Sequence, residues 1–284
     1  AGLLTARRRE RQIGWKRVLG QGWLWKRVAR LDLDGGRPQA AGEKPLELYV
    51  VRHGETMLNA AGRMQGWIDA PLTPAGERVA ASLGRGLKRE NIGFDGVFTS
   101  DTGRARQTAQ IVLGAAGQDP LLDTLVTDWR LREANFGSFE GVRGDSVFDL
   151  LARELGVSEE EHRQKMSADP SQFTAHLTNT LAKWDQDKGV GERSWAAEPY
   201  AAVQARALGA ISSITDQHKQ KGSSRVLIVA HGVTISILLA SLGAASRLPM
   251  GGFANASVST VVYEGGNYVV DRVNDTRLLA VGDQ

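Results

Sequence analysis

Two histidine–glycine pairs, His53-Gly54 and His231-Gly232, each follow a short apolar run, Leu46–Val51 and Val226–Ala230. In parallel α/β sheets, ligands bind at the carboxyl ends of strands. Two such turns would bring two imidazoles to one edge of a sheet. A single histidine of this kind is equally well explained as a satisfied turn residue. Two of them, each beside a glycine that permits close backbone approach, point to a site. Arg52 precedes the first histidine, and Arg104 falls in the first turn of a helix that Ser100 and Asp101 are expected to open. Helix N-termini favour anions, and a guanidinium adds bidentate binding of oxygen. Two histidines and two arginines make a pocket for phosphate. The arginines would repel a cation, so no metal is expected. Arg106 is expected on the outer surface of the same helix.

Phosphate-monoester hydrolysis is among the slowest uncatalysed reactions, so binding alone is not enough. An unprotonated imidazole can be the nucleophile, and neighbouring arginines favour that form. The leaving alkoxide needs a proton, which a carboxylic acid can give. Leu131-Arg132-Glu133-Ala134-Asn135-Phe136-Gly137 supplies Glu133 between turn-forming residues. Taken alone, Glu133 also reads as a solvated loop carboxylate.

The order of these groups resembles the histidine phosphatase superfamily, which includes the cofactor-dependent phosphoglycerate mutases. The likeness runs over about residues 46–275, most of 145–200 excepted. Its anchors are Arg52-His53-Gly54-Glu55-Thr56 with Asn59, then Gly62-Arg63-Met64-Gln65-Gly66-Trp67, Asp69, Pro71-Leu72-Thr73 and Gly76. Ser100-Asp101, Arg104-Ala105, Gln107-Thr108-Ala109, Leu131, Glu133, Gly137, Glu140-Gly141 and Ala230-His231-Gly232 complete it. The resemblance implies that His53 is transiently phosphorylated. It implies that Arg52, Arg104 and His231 hold the phosphoryl oxygens, with Thr56 and Asn59 as accessory phosphate-pocket residues. It makes Glu133 the general acid, later the base for water, and implies chemistry without metal or cofactor. The mutase pattern resembles Glu-x-x-Tyr-Gly, with a nearby lysine and a later Arg-Arg pair. Here Phe136 stands at the tyrosine position, and no lysine lies between Lys88 and Lys165. No Arg-Arg pair occurs after residue 45, and Val233 follows the second His-Gly where mutases show asparagine. These departures favour a phosphatase. The alternatives are mutase-like phosphoryl transfer and a non-catalytic partner-binding member.

The elements that must position these residues follow from periodicity. Leu46–Val51, Phe94–Phe98 and Val226–Ala230 read as buried strands, alternating with helices from Thr73-Pro74 to about Glu90, from Ser100 to about Ala116, and from Gly232 to about Leu242. Ser257–Tyr263 and Tyr268–Val273 read as a hairpin across Gly265-Gly266-Asn267. The expected fold is α/β, a three-layer α/β/α sandwich with a mainly parallel sheet. Residues 145–200 read as a polar helical insertion packed beside the sheet, with a helix starting at Asp169-Pro170, and are a candidate wall of the site. Residues 226–245 lack Asp, Glu, Lys and Arg and are long enough for a membrane span, but His231-Gly232 within them favours strand, turn and helix. Trp67, Trp129 and Phe136 are candidates for an apolar rim.

The chain has 284 residues, 35 Lys+Arg against 32 Asp+Glu, and no cysteine. Disulfides, thiolate metal sites and a cysteine nucleophile are excluded. The charge is uneven. Residues 1–45 hold eleven basic and four acidic side chains, a net +7, leaving −4 for the other 239. Three of the seven tryptophans (Trp15, Trp23, Trp25) lie in this arm, which ends in a Gly- and Pro-containing linker at 34–45. Residues 1–45 are therefore expected as a basic extension, and 46–284 as the catalytic domain. The arm's first reading is a poorly ordered or self-docked extension. Its alternatives are contact with an anionic membrane, organelle targeting or nucleic-acid contact. The expected partners are a small phosphorylated substrate or a phosphoprotein, with no nucleic acid at the catalytic domain. The expected location is cytoplasmic. The sequence carries no mark of oligomeric state.

Overall fold

Strand β1 (Leu46–Arg52) alternates between two cores: Leu46, Leu48 and Val50 face one, Tyr49 and Val51 the other. A strand buried on both faces must lie between two helical layers. The structure, a computed structural model, describes residues 44–189 and 195–283. Along the chain follow α1 (Met57–Ala60), α2 (Pro74–Arg89), β2 (Gly96–Thr99), α3 (Gly103–Ala116) and β3 (Val126–Thr127). Then come α4 (Gly144–Glu154), α5 (Glu159–Ala168), α6 (Pro170–Asp187) and α7 (Tyr200–Gln220). The order closes with β4 (Arg225–Ala230), α8 (Gly232–Leu239), β5 (Val258–Glu264), β6 (Asn267–Asp275) and α9 (Arg277–Gly282).

The six strands form one sheet in the order β3-β2-β4-β1-β5-β6. Strands β3, β2, β4 and β1 pair in parallel, while β5 and β6 add an antiparallel edge. On one face, Ala207, Ile211 and Ile214 of α7 and Ile235, Leu238 and Leu239 of α8 cover the sheet. On the other, Ala80, Leu83 and Leu87 of α2 and Ala105, Ala109 and Val112 of α3 do so. Each fully buried Leu, Ile or Val contributes about 1.5–3 kcal/mol over its exposed state. The expected α/β three-layer architecture is the observed one.

Local signals placed several elements. The Thr73 hydroxyl accepts the Gly76 N–H at 3.0 Å, capping α2 with Pro74 at its first position. Gly265 and Gly266 both take positive φ (59° and 80°), which a two-residue hairpin turn requires. Asp169 caps α6, accepting the Gln172 N–H at 2.9 Å. Other expectations shift. Strand β2 starts at Gly96, because the Phe94 N–H is taken by the Gln118 side chain before the strand begins. Helix α3 starts at Gly103 rather than at Ser100-Asp101, and its cap comes from another loop. Strand β3, helix α7 and helix α9 have no counterpart in the expected elements.

The polar stretch 145–200 does not build a separate core. Val147, Leu151, Leu177 and Leu181 join Ala134, Phe136 and Phe139 of the loop after Glu133, together with Ile237 of α8. Helices α4 and α6 therefore buttress that loop from behind. The expectations for residues 1–43, including Trp15, Trp23 and Trp25, lie outside the described residues. Within 226–245 the strand β4, the His231 turn and helix α8 appear as expected. No helix of the described residues is long and apolar enough to cross a membrane.

Candidate active site

Strands β1 and β4 are parallel neighbours, with Arg52 opposite Ala230. The next residue on each is a histidine. The His53 N–H donates to the Ala230 carbonyl at 3.0 Å, carrying the ladder one step past the strand. The two imidazoles consequently lie side by side, ring centroids 5.0 Å apart. Both are buried, His53 at 3% and His231 at 0% exposure.

Hydrogen bonding fixes the tautomer of His53. Its Nδ1 lies 2.7 Å from the Gly54 carbonyl oxygen, which can only accept. Nδ1 therefore carries the proton and Nε2 keeps a lone pair. Burial, then Arg104, then Arg52 hold this imidazole well below its ordinary range, against the pull of the Gly54 bond. Burial, then Arg104 and His53, does the same to His231. The Asn255 side chain donates to the His53 carbonyl at 2.9 Å, and the Gly54 N–H to the Thr108 hydroxyl at 2.9 Å. The backbone of His53-Gly54 is thus held from two sides.

Arg104 is fully buried. Its guanidinium donates to the carbonyls of Gly66 (2.7 Å) and Ile68 (3.0 Å) and to the Asp69 carboxylate (3.0 Å). The same carboxylate accepts the N–H groups of Gly103 and Arg104, so Asp69 caps α3. Glu140 accepts the N–H groups of Gly66, Trp67, Ile68 and Phe136 at 2.8–3.2 Å, which fixes the loop whose carbonyls hold Arg104. Asp69 and Glu140 are anchors of the sequence resemblance, yet only the fold gives them these tasks. Arg52 donates to the Phe253 carbonyl. Several buried polar atoms have no hydrogen-bond partner: Arg52 Nε, Arg104 Nε and both ring nitrogens of His231. Buried donors normally find a partner, so this cluster suits an anion.

Glu133 is 6% exposed, and its carboxyl sits at the N-terminus of α8. Oε1 accepts the N–H groups of Ala134 (3.0 Å) and Thr234 (2.9 Å), and Oε2 that of Val233 (3.0 Å). It is not a solvated loop carboxylate. An ideal Cβ built on Gly232 would lie 3.6 Å from Arg52 Nε and 3.9 Å from Glu133 Oε2, so one small group reaches both.

Thr56 and Asn59 are engaged locally. They form a reciprocal capping box on α1, and the Thr56 hydroxyl donates to Gln65 Oε1 at 2.6 Å. Arg106 is exposed, as expected. The aromatic rim does not assemble. Phe136 is core, Trp129 is 53% exposed, and Trp67 donates from Nε1 to the Glu133 carbonyl. Arg132 stacks over the Trp67 ring at 4.6 Å and pairs in bidentate fashion with Asp101. Arg206 and Glu198 were not singled out by the sequence, although they grip the loop bearing Glu133. Their signal was present. Arg206 falls within the apolar stripe Val203, Ala207, Ala210, Ile211 and Ile214, where an arginine must be paired.

The family model of the histidine phosphatase superfamily (branch 1) matches residues 48–168 and 153–276. The chain belongs to this superfamily. A probable phosphoglycerate mutase of Yersinia pestis (strain Pestoides F) is 31% identical over 241 residues, covering 81% of this chain and 94% of the relative. The crystal structure of a phosphoglycerate mutase from Bacillus anthracis superposes with a TM-score of 0.75 at 35% identity, over 85% of this chain and 98% of that one. A putative alpha-ribazole-5′-P phosphatase from Escherichia coli shares the fold with a TM-score of 0.56 at 22% identity, over 81% and 96% of the two chains. Superfamily membership makes this chain an enzyme of the phosphatase or mutase kind.

Proposed function

We propose that the protein is a metal-independent phosphomonoester hydrolase working through a phosphohistidine on His53. The observation that carries this reading is the single lone pair left on His53 Nε2 beside the unpartnered Nε atoms of Arg52 and Arg104 and the unpartnered ring nitrogens of His231. In the first step Nε2 attacks phosphorus and the P–O ester bond breaks. The departing alkoxide takes a proton from Glu133. In the second step the Glu133 carboxylate takes a proton from water, the oxygen attacks phosphorus and the P–N bond breaks. Inorganic phosphate leaves and His53 returns neutral. Arg52, Arg104 and His231 hold the phosphoryl oxygens, where fixed donors in a buried site stabilise the transferring group. Thr56 and Asn59 support the loop beside the pocket.

Hydrolysis is preferred over mutase transfer, although the relatives at 31–35% identity bear the mutase name. A mutase must hold a second anionic group. Phe136, at the tyrosine position of the mutase pattern, is buried in the apolar cluster that α4 and α6 form with the loop after Glu133, and Val233 packs against that cluster. Neither offers a polar contact. The substrate is a small phosphorylated molecule or a phosphoprotein. Residues 1–45, at net +7, are proposed to contact anionic membrane, which predicts vesicle binding by the full chain that weakens with salt.

The test is phosphate release from a phosphomonoester panel in EDTA, with His53→Ala as the blank. Turnover by the wild type and none by the variant is expected. Activity retained in His53→Ala would remove the nucleophile. Isomerisation of a phosphoglycerate, outpacing phosphate release, would return the mutase reading.

A further inference from the structure

Arg206 projects from α7 with its side chain only 5% exposed. All five of its N–H donors are directed. Nε donates to Glu198 Oε1 at 2.9 Å, and Nη2 to Glu198 Oε2 at 2.9 Å and to the Glu133 carbonyl at 2.8 Å. Nη1 donates to the carbonyls of Arg130 (2.9 Å) and Arg132 (2.6 Å). Glu198 completes the grip, accepting the Asn135 N–H at 2.9 Å and donating its own N–H to the Asn135 carbonyl at 2.8 Å. One guanidinium and one carboxylate therefore hold the backbone of residues 130–135.

A buried ion pair is a costly fastener, and apolar packing would hold a loop as well for stability alone. What the pair adds is direction. Each carbonyl it takes fixes one peptide plane, and the peptides on both sides of Glu133 are included. The Glu133 side chain is then pinned by the N-terminus of α8. The acid spans two independent anchors, one on α7 and one on α8.

We propose that Arg206, braced by Glu198, is a positioning residue that sets Glu133 for proton transfer to the leaving group. The proposal rests on the proton-donor role given to Glu133 above. Arg206 touches neither substrate nor phosphoryl group. A displacement of order 1 Å at such a donor costs about 10²-fold in rate.

Leaving groups separate this role from a structural one. A p-nitrophenolate leaves without a proton, whereas an alkoxide needs one. In Arg206→Lys the charge stays, but one ammonium cannot make five directed bonds. The experiment compares kcat/KM for p-nitrophenyl phosphate and ethyl phosphate, in EDTA, for wild type, Arg206→Lys, Glu198→Gln and Glu133→Gln. The ratio of the two substrates is internal, so a reduced folded fraction divides out. Arg206→Lys and Glu198→Gln are expected to lose about 10²-fold on ethyl phosphate while p-nitrophenyl phosphate stays near wild type. Equal losses on both substrates would overturn the proposal. So would wild-type selectivity in Arg206→Lys, because it would leave only a charge effect, such as the one Arg206 exerts on His231 after burial, Arg104 and His53. Glu133→Gln must itself show the selective loss. If it does not, the donor role of Glu133 fails; if it does and the Arg206 and Glu198 variants do not, only the present inference fails.

Discussion

Glu133 Oε1 lies 2.9 Å from the backbone nitrogen of Thr234 and 3.2 Å from its hydroxyl. The carboxyl is therefore docked on the helix that starts directly after His231. Glu133 and His231, the acid and the phosphate-binding histidine of the proposed reaction, thus meet at one helix, although they are remote in sequence. The single proton of the Thr234 hydroxyl has two acceptors, the Arg132 carbonyl at 2.7 Å and Glu133 Oε1 at 3.2 Å. Turned to the carboxyl it donates; turned to the carbonyl it leaves a lone pair that can accept from a carboxylic acid.

Replacing Thr234 by Val keeps the shape and removes this exchange. The Arg132 carbonyl loses a partner, at about 1 kcal/mol. Urea unfolding should show that small loss. Turnover of an alkyl phosphate should fall more than the stability change accounts for. Unchanged turnover would mean that Glu133 is held by the backbone of α8 alone.

Gly232 separates activity from stability. A methyl group there meets only ordinary contacts, at 3.6 Å from Arg52 Nε and 3.9 Å from Glu133 Oε2. It would occupy the space that both groups address. Gly232→Ala also suits the first position of a helix. The expected result is a Tm equal to or above wild type with most phosphatase activity lost. An active Gly232→Ala enzyme would show that the phosphoryl group sits elsewhere.

Glu140 is the hub under Arg104. Glu140→Gln puts an amide where a carboxylate accepts four N–H groups. Unsatisfied buried donors cost about 1–3 kcal/mol each, so a loss of roughly 2–4 kcal/mol is expected. The carbonyls of Gly66 and Ile68 would then aim Arg104 less well, and KM should rise. Denaturant unfolding and steady-state kinetics on the same preparation check both parts. A wild-type KM would dissociate this loop from phosphate binding.

Acid should weaken the fold through His53 and His231, the two buried histidines of the site. Burial first, then Arg104, lowers both far below the ordinary imidazole range. In the unfolded chain they take up protons below about pH 6.5. The unfolded state then binds more protons than the folded one. Stability present above pH ~6.5 is lost as pH falls, by up to about 1.4 kcal/mol per pH unit for each histidine. Thermal melts from pH 7.5 to 5 should show a falling Tm, with a shallower slope in His231→Ala. A slope unchanged by that substitution would place the acid sensitivity elsewhere.

The family and the α/β frame were legible in local sequence signals. Apolar runs ending in His-Gly are local signals, and strand pairing in register turns them into two adjacent imidazoles without further information. The α2 cap at Thr73 and the Gly265-Gly266 turn are equally local, because a cap or a turn is decided within four residues. Only the tertiary structure decided how the groups are held. Asp69 caps a helix 34 residues away, Glu140 fixes a loop 72–74 residues away, and Arg206 grips a backbone 73–76 residues away. A hydrogen bond across such a separation leaves no periodic trace in the chain. Its partners are chosen by where the sheet and its two helical layers bring them. That is also why Glu133, a plain loop carboxylate in sequence, becomes a buried group at a helix N-terminus once β4 and α8 are in place.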